Sequence, residues 1–232
     1  MEYQLSSTST APLVEISLKN GEEIQIESGA MVYHNKDIKL EGRMNSNGKT
    51  GIGGIISALG RSLTSGESIF ITKVKSVGPN GQITLAPATL GSVKVLNIGE
   101  EQWYLNTTSF LASENGIEYV MERQKLDGAL FGGTGGFFVM KTRGAGKILV
   151  SGYGDITEVI LDGSEEVIVD NYHVLAWSEN LNYSIEVASG FLGVKTGEGL
   201  VNRFRGQGKI LIQSRNIEAL AQTIIPFLPN KD

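Results

Sequence analysis

The chain has 232 residues, 41% hydrophobic and 19% charged, a composition that excludes a disordered polymer and leaves ample apolar material for a core. A net charge of −5 argues against nucleic acid as a general partner, because proteins that grip phosphate backbones present a basic surface. There are no cysteines, which excludes disulfides, thiol nucleophiles and thiolate metal sites.

No apolar run approaches the roughly 20 residues that span a bilayer, and Met1–Pro12 shows no apolar secretory core, so a cytoplasmic location is expected. Thirty glycines against five prolines suit many short strands joined by tight turns.

In chain order, Val14, Ile16 and Leu18 alternate with Glu15, Ser17 and Lys19, the period of a half-buried strand. Asn20-Gly21 follows, and Ile24 and Ile26 resume the alternation, so a tight hairpin is predicted. Ile98-Gly99 and Asp162-Gly163 stand at the same place in two later copies of the pattern, beginning near Val93 and Val159. Short apolar strands come next: Val32–His34, Phe110–Ala112 and Leu175–Trp177. Counting without gaps sets Ser113-Glu114-Asn115 opposite Ser178-Glu179-Asn180. Further strands are predicted at Ile38–Glu41, Ile117–Met121 and Tyr183–Val187.

A Gly-rich connection then occurs in every copy, within Gly48–Gly66, Asp127–Gly136 and Ser189–Gly199. In the first, Ile55, Ile56, Leu59 and Leu63 fit a short helical face. Each copy closes on a second predicted hairpin: Ser68–Val74 with Gln82–Leu85, then strands flanking Gly144–Gly146, then strands flanking Gly206–Gly208. Asn216 caps a predicted helix at about 216–225, stopped by Pro226, with Leu220, Ile224 and Phe227 expected to pack on the β core. The sum is one all-β domain over residues 1–232: three tandem repeats at about 13–90, 91–154 and 155–215, then a short C-terminal helix.

The pieces Gly21–Tyr33, Gly51–Phe70 and Arg215–Ala221 resemble a bacterial and mitochondrial-biogenesis family whose members fold like the tryptophan RNA-binding attenuation protein. Gly29-Ala30-Met31 and Gly66-Glu67-Ser68 are the most specific matches, and the resemblance covers nearly the whole chain. It implies three double-stranded β-helix-like repeats about a pseudo-threefold axis. It implies no established activity for bacterial members, while mitochondrial members are tied to inner-membrane organisation. The attenuation protein's tryptophan and RNA sites belong to a different assembly and are not carried over.

Candidate chemistry is sparse. Gly144-Ala145-Gly146-Lys147 and Gly206-Gln207-Gly208-Lys209 lack the Ser/Thr and the helix of a phosphate loop, so they read as hairpin turns. Gly132–Gly136 offers backbone N–H groups without an adjacent cation and reads as a connection. His34 and His173 sit at different offsets in their copies, so neither a metal nor another cofactor is expected. The acidic pairs Glu22-Glu23, Glu100-Glu101 and Glu165-Glu166 follow turns and read as solvated.

The apolar pairs in the Gly-rich connections carry more weight: Ile55-Ile56, Leu130-Phe131 and Phe191-Leu192. Under threefold symmetry they gather at one end of the molecule, as a core plug, a homo-oligomer contact, or a patch for a foreign protein or membrane surface. The expected function is therefore a non-enzymatic scaffold or binding protein that self-associates. Two alternatives stand beside it. One is a β-prism-lectin-like carbohydrate module stacking sugars on Trp103, Trp177 and Tyr172. The other is a cupin-like small-molecule enzyme.

Overall fold

A computed structural model describes residues 1–6, 11–45, 69–124, 138–189 and 199–229, without the side chains of 43–45, 69–70, 123 and 189. The described residues form β1 (Glu2–Leu5), β2 (Val14–Leu18), β3 (Glu23–Glu27), β4 (Met31–His34), β5 (Ile38–Asn45), β6 (Ile69–Ser76) and β7 (Gly81–Leu85). Next come β8 (Val93–Ile98), β9 (Trp103–Asn106), β10 (Phe110–Glu114), β11 (Ile117–Arg123), β12 (Phe138–Gly144) and β13 (Gly146–Ser151). The last set is β14 (Ile156–Asp162), β15 (Val167–Asp170), β16 (Val174–Ser178), β17 (Asn182–Ser189), β18 (Leu200–Arg205) and β19 (Gln207–Gln213), followed by helix α1 (Ile217–Ile224). The all-β reading holds. The helix expected between Gly48 and Gly66 lies outside the described residues.

The strands make four sheets, ordered β1-β2-β7-β4, β5-β6-β3-β10-β13-β8, β11-β12-β9-β16-β19-β14 and β15-β18-β17. Adding six to every strand number of the second sheet reproduces the third. The same step turns β11-β12-β9 into β17-β18-β15, and the reverse step turns β10-β13-β8 into β4-β7-β2. Each six-stranded sheet is thus three strands from one stretch of chain joined to three from the next.

The expected hairpin between β2 and β3 does not form. β2 pairs with β1 and β7, whereas β3 pairs with β6 and β10. The turn itself is present, with Gly21 at φ +80° and Glu22 N–H donating to the Lys19 carbonyl at 2.9 Å. Gly21 N–H, however, donates to Ser76 O at the end of β6 (2.9 Å), and the chain crosses from one sheet to another. The physical reason is coverage: an isolated two-stranded ribbon leaves a face bare, while two facing sheets bury both apolar rows. Val14, Ile16 and Leu18 accordingly share one core with Ile24 and Ile26.

The closing turns before β7, β13 and β19 also pass between sheets, since these strands pair with β2 and β4, β8 and β10, and β14 and β16. Besides β1–β2, the antiparallel partners consecutive in sequence are β5–β6, β11–β12 and β17–β18, and each of these three pairs spans one Gly-rich connection.

Two joins link the stretches. At the first, Ala112, Ser113 and Glu114 of β10 pair with Ile26, Gln25 and Ile24 of β3. At the second, Ala176, Trp177 and Ser178 of β16 pair with Leu105, Tyr104 and Trp103 of β9. Ala112 therefore matches Ala176, one residue off the gap-free count that set Ser113 against Ser178. Registers break at Leu111 and Leu175, each the odd residue of a β-bulge. Leu111 is buried with Val14, Ile16 and Ile83 of the preceding stretch, and Leu175 with Phe110 and Leu105 of its own predecessor. The bulge pushes one leucine forward into the neighbouring core at each join.

Of the eight sheet edges among the described strands, β4 and β15 are the two whose counterparts in the other stretches are joined. β4 pairs only with β7, and β15 only with β18. Closure of the chain on itself about a common axis is therefore not made by hydrogen bonds between described strands. α1 forms where the pattern places it, with Asn216 Oδ1 accepting from Ala219 N–H at 2.6 Å. It buries none of its residues: Leu220 and Ile224 stay exposed, as does Phe227 in the turn after it, at 84%. An eight-residue helix leaving the last strand at its rim does not fold back over the sheets.

Candidate functional site

The six apolar residues of the Gly-rich connections, Ile55, Ile56, Leu130, Phe131, Phe191 and Leu192, lie outside the described residues. Their anchoring strands are described, and the three connections bridge equivalent strand pairs.

Each acidic pair contributes a carboxylate that ties strands together, while Glu100 and Glu165 stay exposed. Glu23 binds Lys73 at 2.6 Å and Lys75 at 3.1 Å, and those ammonium groups hold its carboxyl below the ordinary range. Glu166 does the same with Arg205 at 2.5 Å and with Arg203, and Arg203 also reaches Glu186 at 3.0 Å. Glu166 is likewise held low, by Arg205 and Arg203. Glu101 accepts from Ser178 Oγ at 2.6 Å across the second join. Glu23, Glu166 and Glu101 thus tie neighbouring strands together.

At the second join, Lys141 meets Glu179 at 2.6 Å and stands 5.2 Å over the Tyr104 ring. Beneath them Trp177 is stacked on Tyr104 at 5.5 Å and set edge-on to Tyr183 at 4.8 Å and Phe204 at 5.6 Å. Trp177 is 1% exposed and Trp103 3%, so neither offers a face to a sugar. Only Tyr172, 41% exposed, remains of the expected stacking platform. The carbohydrate reading loses its basis.

His173 Nδ1 lies 2.6 Å from the Gln213 carbonyl and Nε2 2.9 Å from Asn216 Nδ2, so both ring nitrogens serve the fold. His34 stands on exposed β4. Among the described residues no group of three or more His, Asp or Glu side chains is placed to hold a metal ion. Gly146 and Gln207 open strands β13 and β19, as the turn reading requires. No described helix is long and apolar enough to cross a membrane.

What pattern reading missed is the surface of β4 and β15. Met31, Val32 and Tyr33 are 38, 49 and 55% exposed, while the matching residues of β10 and β16 are buried. On β15, Ile168 is 51% exposed. The signal was in the third-strand residues. Both joined strands carry alanine where they meet their neighbour, whereas β4 carries Tyr33.

A family model described as mitochondrial biogenesis AIM24 matches residues 3–215. An uncharacterized protein of Streptococcus pyogenes serotype M6 is 44% identical over 230 residues, 99% of this chain and 92% of that protein. A crystal structure of a Streptococcus pyogenes protein superposes with a TM-score of 0.80 at 40% identity, covering 98% of this chain and 99% of the other.

Proposed function

Because the chain belongs to the mitochondrial biogenesis AIM24 family, we propose that it is a non-enzymatic cytoplasmic scaffold that holds a protein partner through apolar surface. On this reading it consists of three tandem double-stranded β-helix-like units on the attenuation-protein plan. The recurrence of one strand order at a step of six supports those units. The contact surface is formed by Ile55, Ile56, Leu130, Phe131, Phe191 and Leu192, together with α1.

The observation that carries the reading is α1 and the turn after it, where Ile217, Leu220, Ile224, Ile225, Phe227 and Leu228 all stand in solvent. Apolar surface of that kind marks a contact. A protein partner fits better than an anionic bilayer. Residues 217–224 carry Glu218 and no Lys or Arg, whereas helices that lie on membranes are rich in cations, and the chain as a whole is acidic.

The test combines vesicle sedimentation with affinity capture and cross-linking in the source cell. Wild type is expected to stay in the supernatant when neutral or anionic vesicles are pelleted, and to retain a stoichiometric protein in the capture experiment. Leu220→Ser with Ile224→Ser, or Phe131→Ser with Phe191→Ser, is expected to lose that protein with the melting curve unchanged. Retention by both double variants would refute the contact surface, and sedimentation with vesicles would move the reading to membranes.

A further inference from the structure

We propose that β4 of one chain pairs with β15 of a second copy, so that chains assemble head to tail through a third, intermolecular version of the two joins inside each chain. This goes beyond the scaffold reading and does not need its apolar loops.

Three independent features meet at these edges. The first is register. β4 is bonded to β7 as β10 is to β13 and β16 to β19, with the break falling at Val32 where the others break at Leu111 and Leu175. β15 is bonded to β18 as β3 is to β6 and β9 to β12. Both halves of the join are therefore built, and only their mutual pairing is missing. Copying the internal registers sets Tyr33 opposite Val169, His34 opposite Ile168 and Asn35 opposite Val167.

The second feature is burial. Leu111 and Leu175 are 0 and 2% exposed because each bulge projects its side chain into the preceding core. Val32 occupies the same bulged place and is 49% exposed. The core that would receive it holds Phe204, Val174 and Leu181, with Val167 and Val169 half-buried at its margin. A strand lying on β15 would cover that margin and bury Val32.

The third is charge. At the first join Asn115 Nδ2 donates to Glu23, the carboxylate that also binds Lys73 and Lys75. Glu166 occupies that place just before β15, bound to Arg203 and Arg205. Lys36 of β4's own turn falls where Asn115 stands, and brings an ammonium group to Glu166. Glu186, which shares Arg203 with Glu166, keeps a second carboxylate beside these cations.

A contact between two different edges is heterologous, so it repeats from chain to chain and ends only by closing a ring. Closed rings leave neither edge bare, which is how β-structures avoid runaway pairing.

The test uses the absence of cysteine. Residues directly opposite on antiparallel strands lie about 4.5–5.5 Å apart at Cα, inside the range of about 4.4–6.8 Å that a disulfide bridges. The His34→Cys, Ile168→Cys double variant is oxidised at tens of micromolar and run without reductant beside light scattering of the wild type. The expected result is a wild-type oligomer of defined mass and, for the variant, a ladder of covalent multimers that neither single variant gives. Tyr33→Glu is expected to reduce the mass to one chain while keeping the melting temperature within a few degrees. Monomeric wild type would overturn the proposal. So would an internally bridged monomer, which would mean closure within one chain, or His34→Cys alone dimerising as readily, which would mean β4 on β4. Phe131→Ser with Phe191→Ser should leave the oligomer intact, so failure of the loop contacts and failure of this assembly are separable.

Discussion

Trp177 is the residue whose removal tests the second join most directly. It is 1% exposed and touches three other rings. Truncating such a side chain to alanine costs about 3–5 kcal/mol in lost transfer and cavity terms. One term opposes this. The indole Nε1–H is buried with no hydrogen-bond partner among the described groups, and relieving an orphaned donor returns about 1–3 kcal/mol. Trp177→Ala should therefore cost about 2 kcal/mol, which for a chain of this size lowers the midpoint by roughly 4–8 °C. Trp177→Phe keeps most of the ring packing and deletes the orphaned donor, so it should stay within about 1 kcal/mol of wild type. Thermal and urea unfolding followed by circular dichroism measure both, with Trp103 fluorescence as a local reporter. If Trp177→Ala melted within 2 °C of wild type, or Trp177→Phe did as much damage as alanine, the aromatic cluster would not be what fastens this join.

Burial raises the Glu27 carboxyl to about 7 from its ordinary 4.5. Its folded-state pKa lies above the unfolded one, so the folded state binds the proton more tightly. Stability contributed by this group grows as pH falls from about 7 to about 4.5 and is absent above 7. Glu27→Gln should thus be more stable than wild type at pH 8, by an amount on the order of 2 kcal/mol, with the gap closing toward pH 4.5; a constant gap in pH-resolved urea melts would reject this. Gly91 bridges Gly154 where Gly152 N–H donates to Ser92 O at 3.0 Å, and an added Cβ would fall on the Gly152 carbonyl oxygen. Gly91→Ala should force these backbones apart and cost at least about 2 kcal/mol, whereas Gly99→Ala, with open space around it, should cost under 1 kcal/mol; equal melting curves would show the bridge to be unimportant.

Strand positions were legible in the sequence because half-buried strands write their burial into alternation, as Val14–Leu18 does with its strictly alternating pattern. Pairing was not. A Gly-containing turn between two alternating runs looks the same whether the chain returns along its own strand or crosses to a facing sheet. What decides is the distant partner, here Ser76 receiving Gly21 N–H, which no local pattern records. The one-residue slip at Ser113 and Trp177 has a similar source: turn lengths differ between stretches, and only cross-strand registers reveal the offset. Helix α1 was readable from Asn216 and the apolar spacing, yet its docking was not, since amphipathicity states that a face wants cover and not where cover lies. Recurring acidic pairs were found readily, but their meaning came from Lys73, Lys75, Arg203 and Arg205, which arrive from strands 37 to 52 residues away.

The described edge strands differ in one respect that bears on assembly. β1 carries Glu2, β5 Lys39 and Glu41, β8 Lys94, β11 Glu118 and Glu122, β14 Glu158 and β17 Glu186. Charge on an edge resists further pairing, because a strand added there would have to desolvate it. β4, Met-Val-Tyr-His, has no Asp, Glu, Lys or Arg. β15 has only Asp170 at its last residue, and that carboxylate is already committed to the Tyr172 N–H at 2.7 Å. The two edges least defended against a neighbour are also the two whose internal counterparts, β10 with β3 and β16 with β9, are joined. Selection against stray pairing would have placed charge here as it did elsewhere, unless the edges are normally occupied. Val32→Lys supplies the missing charge at the bulge itself. In the assembled protein it would bury an ammonium group in the third core, so it should lower the apparent affinity between chains at least tenfold, while the isolated chain, where this residue is half in water, keeps its stability. Equal association of Val32→Lys and wild type by sedimentation would break the link between undefended edges and a partner strand.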